Sequence, residues 1–218
     1  MDDNYNTHKA CLSSLCHHIE IWGIIILMFS YFEKGITNLI PSKTIDLAQL
    51  VKLIKTNPKQ SLVNEIRELR LKGDQTYKKK KTFLNYITPN CSVKKRSLKK
   101  EEDYTKNFIA PSSYIYFDFD DVVNAQEYKH YFIEKYGHLV SLVCLSSSCG
   151  GISVLFKITN IIDNNNFYDI WEIIKTTYFK EEQVDIKCKN IGRAMYLPYD
   201  TEPFVNYENE ITVDIPLS

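Results

Sequence analysis

The sequence predicts an α+β fold, in which a basic N-terminal β/α part precedes a split βαβ core of the RRM or ferredoxin-like kind. From residue 113 onward the hydrophobic pattern follows the order β-α-β-β-α-β, which defines that core. The earlier residues predict a strand and two helices, followed by basic runs. The composition, 44% hydrophobic and 25% charged among 218 residues, is typical of a globular protein.

The charge is unevenly distributed, although the formal net charge is zero. From Arg67 to Lys106 there are 13 Lys or Arg residues against 5 Asp or Glu residues. A neutral chain with one strongly basic segment indicates an anionic partner at that segment. Six cysteines at irregular spacing indicate reduced thiols and a cytoplasmic location.

The N-terminal residues are apolar from Ile19 to Phe32, apart from Glu20 and Ser30. This stretch is shorter than the roughly 20 residues of a membrane span, so we expect a buried strand over Ile24–Phe32 and no membrane partner. Met28 is a candidate start. We expect residues 1–27 to be a weakly ordered extension of a domain that covers 28–218, with a basic part over 28–110 and a catalytic-like core over 111–218.

The basic part contains two predicted helices. Apolar periodicity predicts the first over Ile45–Lys55, and Asn57-Pro58 ends it. The second runs from Lys59 to Leu71, before Gly73. Two basic runs follow, and such runs are usually solvated loops; near a phosphate-handling site they indicate nucleic-acid binding. The predicted nucleic-acid-binding residues are Lys78, Lys79, Lys80, Lys81, Lys94, Lys95, Arg96, Lys99 and Lys100.

The predicted core begins with a strand that runs into acidic residues. Its helix opens at Asn124, with Glu127 completing a capping-box pattern, and ends before Gly137. The remaining predicted elements, in order, are strands Leu139–Leu145 and Ile152–Ile158, a helix Asn164–Tyr178 and an edge strand Ile211–Val213.

Asp118 and Asp120 are the most informative residues of the chain. They lie in Tyr114–Asp120, an apolar strand in which alternate side chains share a face, so their positions are about 6–7 Å apart. Two carboxylates on one face repel each other unless a cation joins them, and divalent cations do so in phosphoryl-transfer sites. The alternative is a strand that ends in a solvated acidic turn.

Two later segments could complete a site. Ser146–Gly151 connects the next two strands, and its small residues could bring N–H groups and hydroxyls close to a triphosphate. Asp185 could join the carboxylates, and Arg193 could neutralise phosphate charge. The predicted nucleotide-binding residues are Ser146, Ser148, Gly150, Gly151, Ser153 and Arg193.

The order of these motifs resembles the archaeo-eukaryotic primase superfamily, or primase-polymerases. The shared pattern is hhhDhD, then S-x-S-x-x-G between two strands, then an Asp followed by R-x-x-x-x-P. The chain is most similar to the VirE N-terminal-type domains of Bacteroidetes mobile elements, from about Phe29 to Phe204. The resemblance includes Phe29-Ser30-Tyr31-Phe32, Glu65–Arg70, Ile87–Cys91, Tyr116–Asp120, Ser146-x-Ser148, Val184-Asp185, Arg193 and Tyr199-Asp200.

The resemblance implies a primase-type core and a DNA primase-polymerase activity in mobile-element replication. Asp118, Asp120 and Asp185 would then be the catalytic ligands of Mg²⁺ or Mn²⁺. Nucleoside triphosphates and a single-stranded DNA template would be the partners, together with a helicase encoded elsewhere, because the chain has no P-loop motif.

The chain departs from the primase pattern S-G-[KR]-G-x-[HK] in its phosphate loop. Gly150 stands at the basic position inside the loop, and Ser153 stands where the family has His or Lys. Losing one preorganised charge commonly costs ~10²–10³ in rate. Two alternatives therefore remain: a weak or inactive nucleic-acid-binding module that recruits a helicase, and a metal-dependent nuclease, which would need a general base beside the carboxylates.

Overall fold

The computed structural model describes residues 28–96, 106–160, 162 and 166–214, and it shows an α+β protein. The extension expected over residues 1–27 and the start of the strand predicted at Ile24 lie outside the described residues. The strands are β1 (Phe29–Phe32), β2 (Lys43–Ile45), β3 (Tyr86–Thr88), β4 (Cys91–Val93), β5 (Phe108–Pro111), β6 (Tyr114–Phe119), β7 (Leu142–Leu145), β8 (Ile152–Lys157), β9 (Met195–Tyr196) and β10 (Phe204–Val205). The helices are α1 (Leu47–Thr56), α2 (Gln60–Leu71), α3 (Thr76–Lys81), α4 (Ala125–Tyr136) and α5 (Phe167–Tyr178), with a 3₁₀ turn at Ile186–Lys189.

The strands form two antiparallel sheets of four, in the orders β2-β1-β3-β9 and β10-β7-β8-β6, and a separate β4-β5 pair. β9 comes from the C-terminal part of the chain but pairs with β3, where Tyr196 lies opposite Tyr86. One hydrophobic core runs continuously through both sheets. The basic part and the core part therefore share a sheet and an interior.

β6 has two different faces because successive side chains of a strand point in opposite directions. Phe117 and Phe119 point towards the helices: Phe117 stacks on Trp171 of α5 at 5.1 Å, and Phe119 contacts Phe132 of α4 at 4.9 Å. The opposite face carries Asp118. One side of β6 therefore packs in the aromatic core, and the other side presents the Asp118 carboxylate.

The helices predicted from periodicity are present, with boundaries shifted by at most three residues. α4 begins as its cap predicts, because the Asn124 side chain accepts hydrogen bonds from the backbone N–H groups of Gln126 and Glu127. The run Lys78–Lys81, in contrast, forms the last turns of α3 instead of a loop.

The last strand of the predicted β-α-β-β-α-β order does not form at the predicted position. Ile211–Val213 forms only an isolated parallel bridge, between Ile211 and Ile158. Val184 forms an isolated antiparallel bridge with Phe119. The fourth strand of this sheet is β10, which pairs with β7 at the other edge. None of the helices within the described ranges is long and apolar enough to cross a membrane.

Candidate active site

Three carboxylates meet beside the end of β6. Asp118 and Asp120 come from the strand and the residue after it. Asp185 is brought to them by the backbone, because its N–H donates to the Asp118 carbonyl at 2.8 Å and its neighbour Val184 bridges Phe119. One carboxylate oxygen of each aspartate lies within 4.8 Å of the others. This grouping joins residues that are 65 positions apart in the chain.

Some of these oxygens already accept hydrogen bonds. Ser153 Oγ donates to Asp118 Oδ1 at 3.0 Å across the β6–β8 pair. Asp185 accepts from Arg193 Nη2 at 2.8 Å and from the Lys187 N–H at 3.0 Å. Among the described residues, none donates a hydrogen bond to Asp120. The carboxylate of Asp120 is therefore available to a further ligand.

The electrostatics of the Asp118–Asp120 pair favour a bound cation. Burial raises the pKa of Asp118 to about 7, and the nearby Asp120 adds to the effect. Burial also raises the pKa of Asp120, with a further contribution from Asp185, whereas Lys81 opposes the rise. A bound cation would replace the lost hydration and relieve the repulsion.

The donor set fits a hard divalent ion. It consists of carboxylate oxygens, which Mg²⁺ and Mn²⁺ prefer, and it contains no thiolate or imidazole. Asp118, Asp120 and Asp185 could thus hold a metal ion, as the sequence predicts. Oxygen ligands of this kind do not by themselves distinguish the two metals.

Asp118 and Asp120 line a cleft of about 160 Å³ that opens between the two sheets, and Asp185 adjoins these two residues. Three cationic side chains line it as well: Lys81 at the end of α3, Arg96 shortly after β4, and Arg193. Arg96 is held by a hydrogen bond from its Nε to the Gly192 carbonyl at 3.2 Å. The cleft therefore has carboxylates and cations in its walls, as a site for a metal-bound phosphate requires.

The Ser146–Gly151 turn contributes less to this cleft than its sequence predicts. Ser146 and Ser153 line the cleft, whereas Ser148, Gly150 and Gly151 are buried outside its lining. Gly151 packs directly against β6, because a Cβ at this position would lie 1.6 Å from the Phe119 carbonyl oxygen. A Cβ at Gly150 would lie 2.7 Å from the guanidinium of Arg70.

The predicted nucleic-acid-binding residues separate into groups. Lys81 and Arg96 line the cleft. Lys80 forms an ion pair with Glu65 at 2.8 Å. The others that the structure describes are exposed, and they are Lys78, Lys79, Lys94 and Lys95. Lys99 and Lys100 lie outside the described residues.

Several residues that line the cleft are not predicted from the sequence. Tyr116 could have been found by strand alternation, because it shares a face with Asp118, and its hydroxyl lies 3.3 Å from Ser153 Oγ. Ser147 lies inside the predicted turn, but it is not among the predicted nucleotide-binding residues. Ile36, Ala194 and Tyr196 reach the cleft through the packing of the first sheet, for which the local sequence gives no signal.

No protein-family model, curated protein or solved structure matches this chain. The similarity to primases therefore stays an expectation drawn from the sequence motifs.

Proposed function

We propose that this chain is a nucleotidyltransferase of the primase-polymerase type, which extends a nucleic acid on a single-stranded DNA template by two-metal catalysis. The observation that carries the proposal is the convergence of Asp118, Asp120 and Asp185 beside a cleft that is lined by the first two and by Lys81, Arg96 and Arg193. The β6-α4-β7-β8-α5 order, with β8 between β6 and β7, supports a primase-type split βαβ core.

The side chains have distinct roles in this mechanism. Asp118, Asp120 and Asp185 hold one or two divalent ions, which lower the pKa of the attacking 3′-hydroxyl and stabilise the leaving pyrophosphate when bound. Ser153 orients Asp118, and Arg193 orients Asp185 through their hydrogen bonds. Arg193 neutralises phosphate charge of the nucleotide, and the residues of the two basic runs contact the template backbone.

The decisive experiment measures Mg²⁺- or Mn²⁺-dependent incorporation of labelled nucleotides on a single-stranded DNA template. We expect incorporation by the wild type and none by the Asp118→Ala/Asp120→Ala variant. Asp121→Asn is the matched control, because Asp121 is the exposed neighbour of the site and lies outside the triad. Its positive φ of 60° suits asparagine.

Two other functions remain as outcomes of this test. Absence of incorporation with either metal, together with DNA binding that survives the double substitution, would establish the helicase-recruiting binding module. The uncharged residues Gly150 and Ser153 in the turn favour that outcome. Metal-dependent shortening of the template would establish a nuclease, for which Lys81 beside the carboxylates is the candidate base. The mobile-element setting and the separate helicase rest on the sequence resemblance alone.

A further inference from the structure

The cationic side chains of the cleft come from three separate segments. Lys81 ends α3, Arg96 follows β4, and Arg193 precedes β9. Lys81 is close enough to the carboxylates to oppose the rise in the pKa of both Asp118 and Asp120. The fold thus gathers positive charge from the basic part of the chain at the position where the sequence resemblance expects charge from the Ser146–Ser153 turn.

Two guanidinium nitrogens in this cleft lack a hydrogen-bond partner. Arg96 Nη1 and Arg193 Nε are buried, and neither is hydrogen-bonded within the described part of the chain. A buried charged donor without an acceptor is costly, whereas the oxygens of a phosphate would satisfy it. Arg96 is also fixed in place, because its guanidinium lies 5.4 Å from the centre of the Tyr86 ring.

Two backbone N–H groups of the Ser146–Gly151 turn, in contrast, already donate hydrogen bonds within the turn. The Cys149 N–H donates to the Ser146 carbonyl at 3.0 Å, and the Gly150 N–H donates to Ser146 Oγ at 3.2 Å. Behind the turn, Arg70 and the end of β6 occupy the space next to the two glycines. An anion-binding nest needs free backbone N–H groups that converge on the ligand, and these two do not provide them.

We propose that Lys81, Arg96 and Arg193 form the subsite for the polyphosphate chain of the nucleotide, in place of the Ser148–Ser153 turn. The inference rests on the proposed nucleotidyl transfer and names the residues that hold its substrate. It moves Lys81 and Arg96 from the template-contacting set to the nucleotide site. Arg193 has a second role there, because the same guanidinium holds Asp185.

The test is equilibrium binding of a fluorescent nucleoside triphosphate to the full chain in the presence of Mn²⁺. We expect Lys81→Ala and Arg96→Ala each to weaken binding about tenfold or more, because each removes a charge-assisted contact. Lys55→Ala is the control, because Lys55 is an exposed lysine of α1 that is not among the cleft-lining residues, and this variant should bind like the wild type. The unphosphorylated nucleoside should bind equally to all variants.

Arg96→Lys is the second variant at that position, because it keeps a positive charge but replaces the planar guanidinium with a single ammonium group. It should recover part of the affinity lost in Arg96→Ala, and thermal unfolding shows whether each variant is folded. Tripolyphosphate should compete with the nucleotide on the wild type. Competition by tripolyphosphate and not by the nucleoside assigns the subsite to the phosphates.

The inference is overturned if Lys81→Ala binds the triphosphate as tightly as the wild type, or if the nucleoside is affected to the same extent. This outcome differs from failure of the proposed function. If the wild type incorporates nucleotides and the Lys81→Ala and Arg96→Ala variants have the same KM as the wild type, only the subsite is refuted. A wild type that binds the triphosphate through Lys81 and Arg96 but incorporates nothing refutes the transferase alone.

Discussion

Ser153 lies directly opposite Asp118 in the β6–β8 pair and donates its hydroxyl proton to Asp118 Oδ1 at 3.0 Å. The sequence resemblance expects a histidine or lysine at position 153, which would bring a positive charge to this carboxylate. The serine supplies a neutral hydrogen bond instead. We therefore expect a bound metal ion to add the charge compensation that a histidine or lysine at position 153 would supply, and this expectation determines the first two predictions.

The stability of the metal-free protein should fall as the pH rises through the range from about 4 to about 7. The pKa of Asp118 is raised to about 7 by burial, so the folded state binds a proton that the unfolded state releases near its ordinary pKa of 3.8. Stabilisation by that proton is complete below about pH 4 and is lost by the time the pH passes the folded-state pKa. The loss is on the order of a few kcal/mol, because one pKa unit corresponds to about 1.4 kcal/mol.

Denaturant unfolding in the presence of a chelator measures this effect at about pH 5 and about pH 8. Asp118→Asn removes the titrating group, so its free energy of unfolding should decline less over the same interval. An equal decline in the wild type and Asp118→Asn would contradict the assignment.

Divalent metal should stabilise the protein through the three carboxylates. We expect Mn²⁺ to raise the Tm of the wild type, since a ligand at 100 times its Kd contributes about 2.7 kcal/mol. The Asp118→Ala/Asp120→Ala variant should show no rise, whereas Asp121→Asn should respond like the wild type. A rise of equal size in the double variant would place the metal elsewhere.

Gly151→Ala should be severely destabilising. The new Cβ would collide with the Phe119 carbonyl oxygen at 1.6 Å, so β6 and the turn before β8 would have to separate. We expect a loss of about 3 kcal/mol or more, as for other substitutions that force backbone apart in a core.

The matched control is Gly73→Ala. Gly73 has a φ of +74°, but nothing lies within 4 Å of a Cβ there, so only backbone strain of about 1–2 kcal/mol opposes the change. Thermal unfolding compares the two variants, and similar losses would refute the steric argument at Gly151.

A buried ion pair secures the segment that follows β9. Lys129 of α4 contacts Asp200 at 2.9 Å, with side-chain exposures of 2% and 4%. Asp200 also accepts the Leu145 N–H at 2.9 Å, at the end of β7 and next to Ser146. Lys129→Met should cost about 3–5 kcal/mol, because it leaves a buried charge without a partner.

The double variant Lys129→Met/Asp200→Asn should recover part of that loss, since it removes both charges. Glu210→Gln is the comparison, because Glu210 pairs with Lys157 near the surface and such pairs contribute about 0–1 kcal/mol. Additive losses in the Lys129 and Asp200 variants would contradict the coupling.

Glu182 should influence metal binding without touching the metal. Its carboxylate accepts hydrogen bonds from the hydroxyls of Tyr128, Tyr131 and Tyr136 on α4, and it lies three residues before Asp185. This contact fixes the segment that carries the third carboxylate. We expect Glu182→Ala to weaken Mn²⁺ affinity several-fold, as titrated by electron paramagnetic resonance, whereas the exposed neighbour substitution Glu181→Ala should leave it unchanged.

Local signals were sufficient for much of this architecture. The Asn124 cap predicts the start of α4, and strand alternation predicts that Asp118 shares a face with Asp120 and turns away from Phe117. Each of these features depends on residues within a few positions of one another. The short-range pattern therefore predicted the pair of Asp118 and Asp120, whereas the joining of Asp185 followed from the predicted sheet order and from the sequence resemblance.

The positions of Lys81 and Arg96 depend on distant contacts. Arg96 reaches the cleft because its Nε binds Gly192, 96 residues later, and because its guanidinium packs on Tyr86. Lys81 reaches it because α3 ends against the first sheet, where its ammonium lies 5.6 Å from the Tyr196 ring centre. In the sequence both residues belong to runs of like charge, and nothing local distinguishes them from their exposed neighbours.

The pairing of β9 with β3 has a consequence for how this chain can be divided. A fragment that begins at residue 111 would keep all three carboxylates but would lose Lys81, Arg96 and the strand on which β9 forms. Met195 and Leu197, which are 1% exposed in the intact protein, would then lie on an uncovered surface. We therefore expect that the segment with the three carboxylates cannot keep the cleft by itself, and that any event that opens the first sheet also takes the cleft apart.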